Sequence, residues 1–293
     1  MTAALDALVA LLDLDTVEGD VFVGRSPDDR RQRVFGGQVA GQALVAAGRT
    51  VEPELAVHSL HAYFLRPGRP AVPIRYEVDR IRDGRSFTTR RVVALQGGEA
   101  IFHLSASFHR TEAGFDHQLP APAAPRPQDL PTFTERMAPW RDQLGDWYRR
   151  PHPIDISYVG VPHTDRSLGR RPPCQQVWIR ADGHLPDDPL LHACIATYAS
   201  DLTLLDSILL AHRVTWGDPG LFGASLDHAM WFHRPFRADG WLLYDQESPS
   251  AYGARGLGQG RIYTAEGRHV VSVVQEGLFR RRVPAPGRDG GRR

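Results

Sequence analysis

Asp201 falls on an apolar face. If residues 189–212 form one helix, position 201 shares a stripe with Cys194, Tyr198, Leu205 and Ile208. A carboxylate on a buried stripe is costly unless something satisfies it. In water an aspartate has a pKa of about 3.9 and is a weak base. Burial raises that value and improves the driving force for taking a proton from water. The competing reading is a helix aspartate paired with an arginine or capping nearby backbone. Asp206 falls at the margin of the stripe and needs less explanation. Ser225 opens a strand on which Ala224, Leu226, Met230 and Phe232 share one face, so Ser225 points to the other with Asp227. The surrounding Gly223-Ala224-Ser225-Leu226-Asp227 is not Gly-x-Ser-x-Gly, and no strand-to-helix elbow is expected there. Ser225 is therefore not read as a nucleophile; an ordinary polar strand residue is its alternative. Gln275 follows the run Val270 to Val274. Its amide offers two donors and an acceptor, which suits holding a water or a substrate oxygen.

The elements that must position these groups occur twice. Tyr63-Phe64-Leu65-Arg66-Pro67 returns as Trp231-Phe232-His233-Arg234-Pro235, and Arg66 and Arg234 are 168 positions apart. Phe108-His109-Arg110 has a counterpart in Leu278-Phe279-Arg280, with Arg110 and Arg280 170 apart. A near-constant offset indicates two copies of one supersecondary unit. Each copy reads as a strand, a central helix and an antiparallel meander. In the first copy Gly36-Gly37-Gln38 opens a helix closed by Gly48, followed by strands at 58–65, 72–80, 86–96 and 100–110. Gly36 and Gly37 would let backbone approach a ligand closely. In the second copy a strand near 174–181 precedes a helix of about five turns at 189–212, capped by Asp188 with Pro189 at its first position. Strands near 222–233, 240–248, 252–264 and 268–280 follow. The expected domains are 1–112, a proline-rich linker at 113–172, a second unit at 173–282 carrying the reactive groups, and a disordered tail at 283–293. The first copy lacks a matching trio: its central helix offers Gln42 but no carboxylate, which leaves it as scaffold and as a wall of the site.

Composition narrows the function classes. The formal net charge of +1 calls for neither nucleic acid nor an acidic membrane. Cys174 and Cys194 fall in no metal or redox spacing, and the 13 histidines form no ligand motif. No stretch approaches the length of a membrane span, and the N-terminus lacks a secretion signal. The closing Gly290-Gly291-Arg292-Arg293 is no peroxisomal address, which makes a cytoplasmic location the default.

Five motifs in order carry a family resemblance: Phe35-Gly36-Gly37-Gln38, His58-Ser59-Leu60-His61, Tyr198-Ala199-Ser200-Asp201-Leu202, Asp227-His228-Ala229-Met230-Trp231-Phe232-His233-Arg234-Pro235, and Val274-Gln275-Glu276-Gly277. With them the chain resembles the acyl-CoA thioesterase II family from about residue 5 to 282. The resemblance implies an α+β double hotdog: two tandem repeats, each a long helix wrapped by a curved antiparallel sheet. It implies hydrolysis of fatty acyl-CoA to free fatty acid and CoA with no metal and no redox cofactor, and with Asp201, Ser225 and Gln275 converging on one water. It also implies a homo-oligomer, dimer or tetramer. The family tends to carry histidine at His58, where the choice is an auxiliary base or a histidine hydrogen-bonding between the two halves. Two alternatives stand beside it. A hotdog enoyl-CoA hydratase or dehydratase would usually pair the acid with a histidine on the same helix, where this chain has Asp206. A non-catalytic acyl-CoA-binding protein would gain little from a buried carboxylate.

Overall fold

The computed structural model describes residues 2–27 and 32–281. The tail expected at 283–293 lies outside the described residues. The first half runs α1 (Ala3–Leu12), β1 (Asp15–Glu18), β2 (Val21–Gly24), α2 (Gly36–Gly48), β3 (Leu55–Phe64), β4 (Ile74–Asp83), β5 (Phe87–Gln96) and β6 (Glu99–Arg110). A connecting segment holds short helices α3 (Phe133–Met137), α4 (Arg141–Leu144) and α5 (Asp146–Arg149), then β7 (Ile154–Tyr158). The second half runs β8 (Cys174–Ala181), α6 (Pro189–Ser200), α7 (Asp206–His212), β9 (Leu221–Ser225), β10 (Asp227–Phe232), β11 (Leu242–Tyr252), β12 (Arg255–Thr264) and β13 (His269–Arg281).

One antiparallel sheet carries both halves, in the order β1-β2-β4-β5-β6-β3-β10-β13-β12-β11-β8-β7, with β9 also paired to β13. The halves mirror each other across the β3–β10 pair, where Leu60 lies opposite Met230 and Ala62 opposite His228. The repeated Arg-Pro motif does one job twice. Arg66 Nη1 donates to the Ala100 carbonyl at 2.7 Å, and Arg234 Nη1 donates to the His269 carbonyl at 2.8 Å. Each arginine thus ties the end of its own copy's central strand to the start of the neighbouring one.

The central helices lie back to back under this sheet. Every residue of α2 from Gly37 to Ala47 is buried, as a helix without a polar face must be. Its small residues admit α6 at close range: a Cβ on Gly41 would lie 3.4 Å from the Cys194 carbonyl oxygen, and one on Gly48 would lie 2.5 Å from Leu190 Cδ2. The main apolar cluster runs from Leu5 of α1 through α2 to Val273 of β13, and a smaller one gathers Trp178, Leu243 and Tyr263.

Two sequence expectations need correction. The five-turn helix at 189–212 is broken: α6 ends at Ser200, Asp201 caps it, and a turn leads into α7 at Asp206. Hydroxyls crowd the ladder here: Thr197 Oγ1 donates to the Ala193 carbonyl, and Ser200 Oγ lies 3.0 Å from the Thr197 carbonyl oxygen. Glycines in β12 then let the turn and α7 lie directly on the sheet. A Cβ on Gly258 would lie 3.1 Å from Leu204 Cγ, and one on Gly256 2.7 Å from Ile208 Cγ2. The segment at 113–172 is more than a linker. It supplies the edge strand β7, paired to β8 from Ile154–Ala181 to Tyr158–Val177. Its proline-rich part is pinned down: Trp178 Nε1 donates to the Pro125 carbonyl at 2.8 Å, and Gln118 bonds the Gly267 carbonyl and the His269 amide. No helix among the described residues is long and apolar enough to cross a membrane.

Candidate active site

Asp201 sits where α6 stops, and the N-terminus of α2 from the other half points at it. The Gly37 amide donates to Asp201 Oδ2 at 2.8 Å. Gly36 makes the approach possible, because a Cβ there would lie 2.7 Å from the same oxygen. A Cβ on Gly37 would lie 2.5 Å from the Tyr198 carbonyl oxygen, so neither position tolerates a side chain without movement. The glycine pair does allow close approach, and the group it approaches is the carboxylate of the second copy.

The other carboxylate oxygen faces the strands. Gln275 Nε2 donates to Asp201 Oδ1 at 2.6 Å and to Ser225 Oγ at 3.0 Å. Ser225 Oγ donates more loosely to Asp201 Oδ1 at 3.4 Å. A register gap in β13 brings these two side chains together. Above it Val274 pairs with Ala229 of β10, and below it Gly277 pairs with Ser225 of β9. Asp227 bridges the gap by accepting from the Glu276 amide at 2.7 Å. Alternation along β13 then turns Gln275 inward, fully buried. The structure therefore brings Asp201, Ser225 and Gln275 into one hydrogen-bonded cluster. No arginine is among the hydrogen-bond partners of Asp201 in the described residues.

Asp201 keeps part of its surface open, yet protein surrounds the carboxyl closely enough to change its chemistry. Desolvation raises its pKa from 3.8 to about 6, opposed by the hydrogen bonds from Gln275, Gly37 and Ser225. That places a carboxylate base near the middle of the biological pH range. Ser225 has no histidine partner; its hydrogen bonds go to Asp201 and Gln275, and it ends a strand rather than standing on an elbow. Among the described residues no three His, Cys, Asp or Glu side chains gather as a metal site.

The family models of known proteins match both halves. That described as acyl-CoA thioesterase covers residues 155–278, and that described as acyl-CoA thioesterase N-terminal domain covers residues 26–109. The chain is 42% identical to acyl-coenzyme A thioesterase 8 of Mus musculus, over 93% of this chain and 88% of that protein. The chain belongs to the acyl-CoA thioesterase II family. It is a thioester hydrolase with the double hotdog fold. Acyl-CoA thioesterase 2 of Haemophilus influenzae is 35% identical over 96% of this chain and 99% of its own length. The crystal structure of the acyl-CoA thioesterase II TesB2 from Mycobacterium marinum is 46% identical with a TM-score of 0.79, covering 95% of this chain and all of that one.

His58 of this thioesterase is not brought to the cluster. Its Nε2 bonds Ser107 Oγ at 2.8 Å, and its ring lies edge-on to Phe87 and near His109, all within the first half. It makes neither the auxiliary contact nor the bond between halves expected of it. Burial and His109 lower its pKa. Replacing His58 with alanine is expected to leave kcat/KM close to wild type, because its hydrogen bond and ring contacts lie with Ser107, Phe87 and His109. A steady-state assay of thiol release checks it. Gln42, the first copy's counterpart on its helix, is structural: its amide donates to the Leu11 and Arg25 carbonyls and accepts from Tyr76 Oη.

Asp206 lies deeper than a single helix over 189–212 would place it. It is buried at the start of α7, accepts from Trp216 Nε1 at 2.6 Å and lies 3.1 Å from His163 Nδ1. The Trp216 ring fills the space beside Gly223 of β9, where a Cβ would lie 2.3 Å from it. Asp206 thereby steadies the strand that presents Ser225. The break between Ser200 and Asp206 carries it inward, and Gly256 and Gly258, which make room for Ile208 and Leu204, are the sequence signal for that break.

Proposed function

We propose that Asp201 hydrolyses fatty acyl-CoA by general base catalysis, with Ser225 and Gln275 holding the water. The reading rests on one observation: a carboxyl group with its pKa pushed up to about 6 shares hydrogen bonds with both a hydroxyl and an amide. The loose 3.4 Å contact from Ser225 is the joint at which a water enters between the two. Asp201 takes a proton from that water, and the water oxygen bonds to the thioester carbonyl carbon. The carbonyl electrons move to its oxygen and return as the carbon–sulfur bond breaks. CoA leaves as a thiolate and takes up the proton released from Asp201 or from solvent. The N-terminus of α2 presents backbone N–H groups that lack helical partners. Such donors stabilise the oxyanion, a contribution of about 10²–10³ in kcat for each.

Incubation with a saturated acyl-CoA and a thiol reagent tests the reaction. Stoichiometric release of free thiol and fatty acid is the expected result. Consumption of an enoyl-CoA without thiol release would mark a hydratase, and unchanged bound ligand would mark a carrier; either result contradicts the proposal.

A further inference from the structure

The Gln275 amide works in only one of its two orientations, and its neighbours decide which. Both of its N–H protons are used: one goes to Asp201 Oδ1 and the other to Ser225 Oγ. Turned over, the amide would place a carbonyl oxygen against the carboxylate. Its Oε1 must therefore face away from Asp201. There it is buried without a hydrogen-bond partner of full geometry, and so is His228 Nδ1. The two side chains are cross-strand neighbours: one step beyond the Ala229–Val274 pair of β10 and β13, His228 stands opposite Gln275, and hydrogen bonding with Gln275 raises the proton affinity of His228 against a larger desolvation effect. On its other side, His228 Nε2 lies 2.8 Å from Ser200 Oγ.

A neutral imidazole has one donor nitrogen and one acceptor, and a hydroxyl has one proton. Were Nε2 protonated, a bare Nδ1 would face Gln275 Oε1, two acceptors in a buried site and therefore costly. If Ser200 instead turns its one proton to Nε2, at 2.8 Å, rather than to the Thr197 carbonyl at 3.0 Å, then Nδ1–H donates to Gln275 Oε1 and both orphaned side-chain atoms are matched. We infer that His228 is a positioning residue: as the neutral Nδ1–H tautomer held by Ser200, it locks the Gln275 amide with its NH2 toward Asp201 and Ser225. The histidine occurs in β10, opposite Ala62 at the seam between the halves, and is almost wholly buried. Burial lowers its pKa to about 4, so the lock stays neutral while Asp201 titrates. The catalytic consequence rests on Asp201 being the base.

Two variants separate orientation from packing. An asparagine can place its NH2 near the position of Nδ1, whereas a glutamine reaches toward Nε2. His228→Ala is expected to lower kcat on the order of 10–100-fold, the usual cost of losing a group that orients a functional ligand, with KM little changed. Its acid limb should move to higher pH, because Asp201 loses a well-aimed donor. His228→Asn is expected to recover most of kcat and the wild-type limb, and His228→Gln is not. Equal loss in the Asn and Gln variants, or unchanged kcat in His228→Ala, would overturn the inference. A second measurement does not involve Asp201. The ¹⁵N shifts of labelled histidine, with the His228 signals identified by their loss in His228→Asn, should report the Nδ1–H tautomer between pH 5 and 8. An Nε2–H tautomer would refute the lock even if Asp201 proves to be the base. An active Asp201→Asn variant would sink the base while leaving the tautomer result standing.

Discussion

Asp201→Asn is expected to lower kcat by about 10²–10⁴-fold, the range associated with a general base, with little change in KM. Asparagine has nearly the shape of aspartate and can still accept from the Gly37 amide, so the fold and the α2 approach persist. What it cannot do is take a proton from water. The same change carries a stability signature of definite sign. The folded state raises the pKa of Asp201 from 3.8 to about 6, so the native protein binds a proton more tightly than the unfolded chain. For a carboxyl shifted upward, the favourable contribution is present at low pH and is lost as pH rises from about 4 to about 6. Above that window the folded state holds a desolvated charge at a cost of about 2–3 kcal/mol, at 1.36 kcal/mol per pKa unit. Removing the charge should therefore raise Tm relative to wild type more at pH 8 than at pH 5. Thermal unfolding at the two pH values, beside thiol-release kinetics, checks both halves. A variant that hydrolyses acyl-CoA near the wild-type rate with its fold intact would remove Asp201 from the mechanism.

Gly36→Ala is expected to cost about 10²-fold in kcat, the scale of an ångström-sized misplacement of a catalytic group. The added methyl would lie 2.7 Å from Asp201 Oδ2 and 2.9 Å from Phe64 Cε1. Real Cβ atoms do not approach neighbours that closely, so the carboxylate must leave the Gly37 amide or the α2 terminus must withdraw. Either movement separates the base from the helix end that steadies its charge. Gly36 belongs to the first half and Asp201 to the second, so the effect reports the contribution of the first half to the site in the second. Circular dichroism should show an intact fold beside the lost activity; full activity would mean that the contact between Gly36 and Asp201 is dispensable.

Much of this arrangement was legible in the sequence, and the misses have physical causes. The duplicated Tyr-Phe-Leu-Arg-Pro and Trp-Phe-His-Arg-Pro segments report a repeated backbone task, because Arg66 and Arg234 each tie a strand end to a neighbouring carbonyl. Asp201 stood out because an acid among Cys194, Tyr198 and Leu205 needed a partner. The helical wheel erred about how it is buried: the chain leaves the helix at Ser200, and the wheel ceases to apply one residue before the one it was used to judge. That error also hid Asp206, which the turn carries inward. Ser225 and Gln275 were visible as polar residues on strands, but their adjacency depends on a register gap between Val274 and Gly277 that no periodicity encodes. Gly37 was marked for a close approach, yet the first copy was read as a wall although its helix end donates a hydrogen bond to Asp201.

The most direct test of the central claim is the pH dependence of kcat for acyl-CoA hydrolysis between pH 5 and 8. The base acts only when ionised, so kcat should rise with pH along a single-proton limb, reach half its maximum near the value of about 6 that burial imposes on Asp201, and then level off. A rate that stays flat down to pH 5, or an acid limb unchanged in Asp201→Asn, would contradict it.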